Sequence, residues 1–192
     1  LTAYSAARKA LPATASDPVV VIGAGGVGLM AIATLRALGH EAVLAVDLQE
    51  RNLELARQLG ATTTISARQE DLAAAIVAGA GGPVAAIVDF VNNSTTAPAA
   101  FAALRKGGTM VQVGLFGGEL VIPTALLTLK IITIRGSFVG SLGELEELVG
   151  LARRGALPHL PIIDGELSAT AVQDALDRLA AGGVPGRIVL SA

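Results

Sequence analysis

The sequence predicts an α/β domain built on a doubly wound, open sheet of about six parallel strands. Two observations carry that expectation. Short apolar runs rich in Val and Ile alternate with helical stretches along the chain, as strands joined by crossover helices do. The composition is 52% hydrophobic, 16% charged and 3% aromatic over 192 residues, which suits helices packed closely on a parallel sheet. That length is enough for one domain with a sizeable core, and the low charge argues against disorder.

Residues 1–16 read as a lead-in, helical to Pro12, and a linker. The first strand is Val19-Val20-Val21-Ile22, apolar throughout as a strand buried on both faces should be. A glycine-rich turn follows, then a helix from Leu29 to Leu38 that Gly39 stops. The second strand, Ala42 to Val46, ends at Asp47. In the next helix, Arg51 to Leu59, Leu53, Ala56 and Leu59 share one face. Further strands are expected at Thr62–Ile65, Val84–Asp89, Thr109–Val113, Ile131–Ile134 and Arg187–Leu190. Further helices are expected at Gln69–Val77, Thr96–Leu104, Leu142–Arg153 and Ala171–Leu179. Ser141, with Glu144 three residues on, spells a capping box. Ala78 to Pro83 reads as a glycine-rich turn. No repeat or long linker divides the chain, so residues 1–192 are expected to form a single domain.

The net charge is −2, and no basic run exceeds Arg153-Arg154, a poor footprint for nucleic acid. No apolar stretch reaches the roughly 18 to 20 residues that span a bilayer, and the N-terminus has no secretory pattern. Neither nucleic acid nor membrane is an expected partner. There is no cysteine, which excludes disulfides and Cys-rich zinc sites and makes a cytoplasmic location the default. The chain begins at Leu1 rather than Met, and is expected to be a piece of something longer.

Gly23-Ala24-Gly25-Gly26-Val27-Gly28 matches G-x-G-x-x-G. The first glycine permits the tight strand-to-helix turn. The second lets backbone approach a pyrophosphate, and the third lets helix and sheet pack closely. The helix N-terminus then offers free N–H groups and a positive dipole to the phosphates. The motif has the required context of a strand before, a helix after and an acid at the end of the next strand. Asp47 lies near the spacing of about 20 residues expected of a ribose-binding carboxylate. Together these features predict a Rossmann fold that binds a dinucleotide. A carboxylate there accepts the ribose 2′-OH of NAD and repels the 2′-phosphate of NADP. As a lone residue Asp47 could equally be a helix cap or turn residue. Arg51 could meet a phosphate or be a solvated helix residue.

The run from Val19 to Ala61 has a strand, GxGGxG turn, helix, strand, acid and LELARQLGA helix in that order. With Leu1-Thr2-Ala3-Tyr4, Val113-Gly114-Leu115, Gly136-Ser137-Phe138-Val139-Gly140 and Gly186-Arg187-Ile188-Val189-Leu190, it resembles the cofactor-binding half of zinc-dependent alcohol dehydrogenases, in the medium-chain dehydrogenase/reductase family. The resemblance covers nearly the whole chain. It implies NAD contacts in the turn at Gly23, Gly25, Gly26, Val27 and Gly28, and after the second strand at Asp47, Leu48 and Arg51. It adds Phe90, and on the nicotinamide side Val113, Gly114, Leu115, Ser137, Phe138 and Val139, with backbone groups holding the carboxamide. Arg187 would pair with the pyrophosphate. Two positions depart from the family pattern. Asn52 stands five after the acid, where a basic residue is frequent, and Asn92 stands where glycine is frequent, although Asn tolerates a left-handed backbone.

The resemblance implies a parent enzyme that passes hydride between an alcohol or aldehyde and NAD, with zinc polarising the alcohol. The ligands for that zinc would lie in a separate catalytic domain. Here the two histidines, His40 and His159, read as loop residues with no ligand partner at useful spacing. No catalytic residue and no metal ligand is assigned to this chain. Two alternatives stay open: a zinc-independent quinone or enone reductase of the same superfamily, and a non-catalytic NAD-sensing module. A homo-oligomer is expected through the apolar edge strand Ile131–Ile134, with Lys130 and Arg135 flanking it as gatekeepers.

Overall fold

A computed structural model describes residues 1–11, 14–182, 184 and 186–192. Helix α1 (Thr2–Ala10) leads towards strand β1 (Val19–Ile22), and α2 (Gly26–Ala37) returns the chain to β2 (Val43–Asp47). The alternation continues through α3 (Glu50–Gln58), β3 (Thr63–Ser66), α4 (Leu72–Ala80), β4 (Val84–Asp89), α5 (Thr96–Ala103) and β5 (Leu104–Gln112). Then come α6 (Thr124–Lys130), β6 (Thr133–Gly136), α7 (Leu142–Arg153), β7 (Ile162–Glu166), α8 (Ala169–Ala181) and β8 (Arg187–Ser191). Pro12, the expected end of the lead-in helix, lies outside the described residues; α1 closes at Ala10.

Six strands form one sheet in the order β3-β2-β1-β4-β5-β6, and every pairing in it is parallel. The order reverses between β1 and β4, where open α/β sheets place their ligand crevice. The all-apolar sequence of β1 follows from its position: each of its four residues is buried, and its side chains alternate between two cores. Val19 and Val21 join Val43, Ala45 and Val88 under the alanines of α1 and Leu29, Ile32 and Leu35 of α2. Val20 and Ile22 join Leu44, Val46 and Ile87 under Ile76 of α4 and Phe101 of α5. Each fully buried Val, Leu or Ile contributes about 1.5–3 kcal/mol. Among the described residues no helix is long and apolar enough to cross a membrane.

Several boundaries differ from the sequence expectation, each for a local reason. The capping box at α7 is present, with both Ser141 and Glu144 engaged. The helix expected from Gln69 starts at Leu72, because the Asp71 side chain accepts the Ala74 N–H at 2.9 Å and caps it there. It extends to Ala80, so the expected Ala78–Pro83 turn shrinks to the residues after the left-handed cap Gly81. The expected strand Ile131–Ile134 begins two residues later, at Thr133. Ile131 instead ends α6 in the left-handed region at φ 53°. A short apolar run does not by itself distinguish strand from helix end. Helix α6 and strand β7 were not anticipated. The Arg187–Leu190 strand exists but does not extend the main sheet: β8 pairs in parallel with β7 as a separate two-stranded sheet.

Candidate functional site

The crevice begins where β1 stops. Gly23 takes φ 89°, a turn L side chains rarely adopt, and its N–H donates to the Val46 carbonyl at 2.8 Å. Gly28 is buried where a Cβ would run into the Gly23 carbonyl oxygen, with the carbonyl carbon 2.9 Å away. A hydrogen at this position is what seats α2 against the strand end. Gly25 is the N-cap of α2 and provides no side-chain cap, so the first helical N–H groups are left for another acceptor. A Cβ at Gly25 would meet nothing within 4 Å, because it faces open crevice.

Asp47 ends β2 beside this turn. Its carboxylate accepts the Ala24 N–H at 2.7 Å, the Gln49 N–H at 2.8 Å and the Asn52 side-chain amide at 3.0 Å. The acid therefore clamps the glycine turn to β2 and also fills the turn role that sequence allowed for it. Asn52, five residues after the acid, is buried and orients it. The amide must face Asp47 with its nitrogen, since the reverse would oppose two acceptors, and among the described residues this leaves Asn52 Oδ1 buried without a partner.

A cavity of ≈ 1130 Å³ opens over the turn. Gly23, Gly25, Gly26, Val27 and Gly28 line it, as do Asp47, Leu48, Phe90 and Arg187. The Arg187 side chain crosses the start of α2, its Cδ 3.0 Å and its Nη1 3.4 Å from where a Gly26 Cβ would be. Arg187 makes no ion pair among the described residues. Arg51 does not join this wall. It lies in an adjoining cleft of ≈ 380 Å³ with Arg178. Val113, Gly114, Leu115, Ser137, Phe138 and Val139 sit beyond the cavity lining, after the C-terminal ends of β5 and β6 on the same sheet edge.

The β4 end supports that edge. Asp89 is fully buried and accepts from Val91 N–H at 2.9 Å, Asn92 N–H at 2.8 Å and Thr96 Oγ1 at 2.7 Å. Burial pushes its carboxyl above the ordinary range, against the pull of those three donors. Asn92 adopts φ 59°, the left-handed turn that glycine would make. Its side chain donates to the Gly114 carbonyl at 3.0 Å and accepts from Gln112 Nε2 at 2.9 Å. The amide thus bridges the ends of β4 and β5, which a glycine could not do.

Sequence reasoning missed the opposite wall. Phe116, His159, Leu160, Leu179, Val184 and Ile188 close the cavity, and none carries a local signature. His40 is buried, with Nε2 2.6 Å from the Asp17 carbonyl oxygen. Among the described residues no group of three or more His, Cys, Asp or Glu could hold a metal ion.

A parallel sheet in this order, with a glycine turn, an open helix N-terminus and a carboxylate at its switch point, defines a Rossmann domain. The chain belongs to the zinc-binding dehydrogenase family, whose profile matches residues 26–154. It is 34% identical to an NAD-dependent alcohol dehydrogenase of Sulfurisphaera tokodaii over 99% of this chain and 54% of that protein. The alcohol dehydrogenase of Aeropyrum pernix superposes with a TM-score of 0.88 at 34% identity, over 100% of this chain and 55% of that one. Acetophenone reductase from Geotrichum candidum, solved in complex with NAD, gives 0.84 at 26% identity over 100% and 53%. The chain spans about half the length of the curated relatives it matches.

Proposed function

We propose that the chain binds NAD(H) for an alcohol dehydrogenase whose zinc ligands and most of whose substrate pocket lie outside these 192 residues. The observation that carries this is the joint placement of Asp47, the uncapped start of α2 and the Arg187 side chain around one cavity. The names of the relatives, an NAD-dependent alcohol dehydrogenase and a reductase solved with NAD, support the same cofactor and an alcohol substrate. When bound, NAD supplies the hydride acceptor. The protein's own groups position it: Asp47 accepts from the adenosine ribose, while the α2 N–H groups and the Arg187 guanidinium face the pyrophosphate. Backbone groups near Val113, Leu115, Phe138 and Val139 frame the nicotinamide. Asp47 argues against the quinone or enone reductase alternative, which mostly uses NADPH. The retained nicotinamide-side segments argue against a mere sensor.

The test is calorimetric titration of NAD into the purified chain, with an assay of alcohol oxidation in the presence and absence of zinc. Saturable NAD binding without turnover is the expected result. Zinc-dependent turnover by the chain itself would overturn the division of labour, and failure to bind NAD would overturn the cofactor assignment.

The reading includes a homodimer joined along β6. Among the described residues that strand pairs only with β5, and an open edge invites a second strand. Leu126, Leu127, Leu129 and Ile131 are exposed beside it, too much apolar surface for a solvated edge. Lys130 is not a gatekeeper: its ammonium donates to the Ala102 carbonyl at 3.1 Å and lies 5.5 Å from the centre of the Phe101 ring. Light scattering at micromolar concentration should give twice the chain mass, and a clean monomer would sink the idea.

A further inference from the structure

We propose that Lys9, on the lead-in helix, is a positioning residue for the nicotinamide end of the cofactor, acting through Ser137. The inference rests on the NAD assignment above and extends it to a residue far in sequence from any dinucleotide motif.

The Lys9 ammonium donates to Ser137 Oγ at 2.8 Å and to Ser5 Oγ at 2.9 Å. Both hydroxyls belong to buried residues, Ser5 at 0% and Ser137 at 7% exposure. Ser137 is also held from below, its N–H donating to the Gln112 carbonyl of β5 at 2.9 Å. It is the first residue after β6 and the last fixed point before the exposed pair Phe138 and Val139.

Beyond those two residues the chain is gripped again by the same helix. Gly140 lies so close to the N-terminus of α1 that a Cβ there would be 2.8 Å from Leu1 Cδ1. Ser141 then caps α7, and the Tyr4 hydroxyl donates to Glu147 of that helix at 2.7 Å, with Arg8 paired to the same carboxylate. Helix α1 therefore fastens the segment on both sides of Phe138-Val139.

The segment between the grips is strained. Val139 has φ 53°, a left-handed conformation that is a true outlier for a β-branched residue. Such a residue keeps that conformation only where its surroundings over-determine it. The Lys9–Ser137 bond is one of those constraints. Without it, the loop can relax towards ordinary β backbone and turn the 137–139 peptide groups away from the position needed to meet a carboxamide. Among the described residues the hydrogen bonds of the Lys9 ammonium go to Ser5 and Ser137 and not to the turn at Gly23–Gly28, Asp47 or Arg187, so the adenosine and pyrophosphate contacts should survive its loss.

The experiment compares NAD with ADP-ribose, which lacks the nicotinamide ring, in calorimetric titrations of wild type, Lys9→Met and Lys9→Arg. Lys9→Met should weaken NAD about tenfold, the loss of roughly one charge-assisted hydrogen bond's worth of preorganisation, while ADP-ribose stays within about twofold. Lys9→Arg, which can still donate to Ser137, should recover most of the NAD affinity. If Lys9→Met fails to fold, Ser137→Ala asks the same question while leaving Lys9 its bond to Ser5. Parallel loss of both ligands, or no loss of either, overturns the proposal. Wild type that binds neither ligand overturns the cofactor assignment instead, and this inference with it.

Discussion

Alanine at position 28 is expected to destabilise the domain by about 3 kcal/mol, the upper part of the range for overpacking a close-packed interior. For a chain of this size that is a fall of roughly 6–12 °C in Tm. NAD binding should be lost with it. The added methyl would press on the Gly23 carbonyl group, with the Val21 side chain 3.5 Å away. The obstacle is backbone, which no change of rotamer relieves. Helix α2 would have to lift from the end of β1, carrying its N–H groups away from the crevice and unsettling Leu29 and Ile32 in the core. Gly25→Ala separates the two consequences. Its Cβ meets no protein atom within 4 Å, so stability should hold within about 0.5 kcal/mol. The methyl would project into the phosphate crevice, so NAD affinity should still fall. Denaturant unfolding paired with calorimetric titration of both variants checks this. A Gly28→Ala protein as stable as wild type would refute the packing argument. A Gly25→Ala protein that binds NAD normally would move the phosphates elsewhere.

The second large effect is expected at Asp47. Charge-assisted hydrogen bonds from the ribose contribute about 1.5–3 kcal/mol, or roughly one to two decades in affinity, and a 2′-phosphate would set a like charge against the carboxylate. Asp47→Gly should therefore weaken NAD and relieve the penalty on NADP, raising the NADP-to-NAD affinity ratio at least about tenfold. The structure adds a complication. Asp47 also holds the Ala24 N–H and the Asn52 amide, so the variant loses a clamp on the glycine turn and some affinity for both cofactors. The ratio cancels that shared loss and is the quantity to read. Arg51, which lines the adjoining cleft with Arg178, would have to turn towards the ribose to meet that phosphate. If the ratio is unchanged in the variant, Asp47 acts only as the clamp.

The site was legible in proportion to how local its physics is. The glycine turn and the capping box of α7 rest on backbone needs satisfied within a few residues, the acid that ends β2 caps its own turn at Gln49, and each stands where sequence placed it. Asn92 was recognisable as a left-handed residue. Its bridge to Gly114 and Gln112 was not, since it depends on β4 and β5 lying side by side. Strand β7 was invisible: Ile162 to Glu166 is Ile-Ile-Asp-Gly-Glu, half exposed and without strong β-formers after its first two residues. It is a strand because β8 lies beside it. Helix α6 is seven residues long and none of them is buried, so its leucines form no core-facing stripe to read.

The α/β class, the parallel strands and the dinucleotide turn are readable along the chain, because they follow from period, burial and the few residues that tolerate a given backbone. What surrounds the turn depends on how distant segments close on it. The cavity wall of His159, Leu160 and Ile188 comes from the C-terminal segment folding back more than a hundred residues later in the chain. The grip of Lys9 on Ser137 joins positions 128 residues apart. Arg51 faces the neighbouring cleft, which it lines together with Arg178 and Ala181 of α8. Contacts of this kind leave no periodicity in the chain, since each partner alone obeys only its local environment and their meeting is set by the closure of the whole fold.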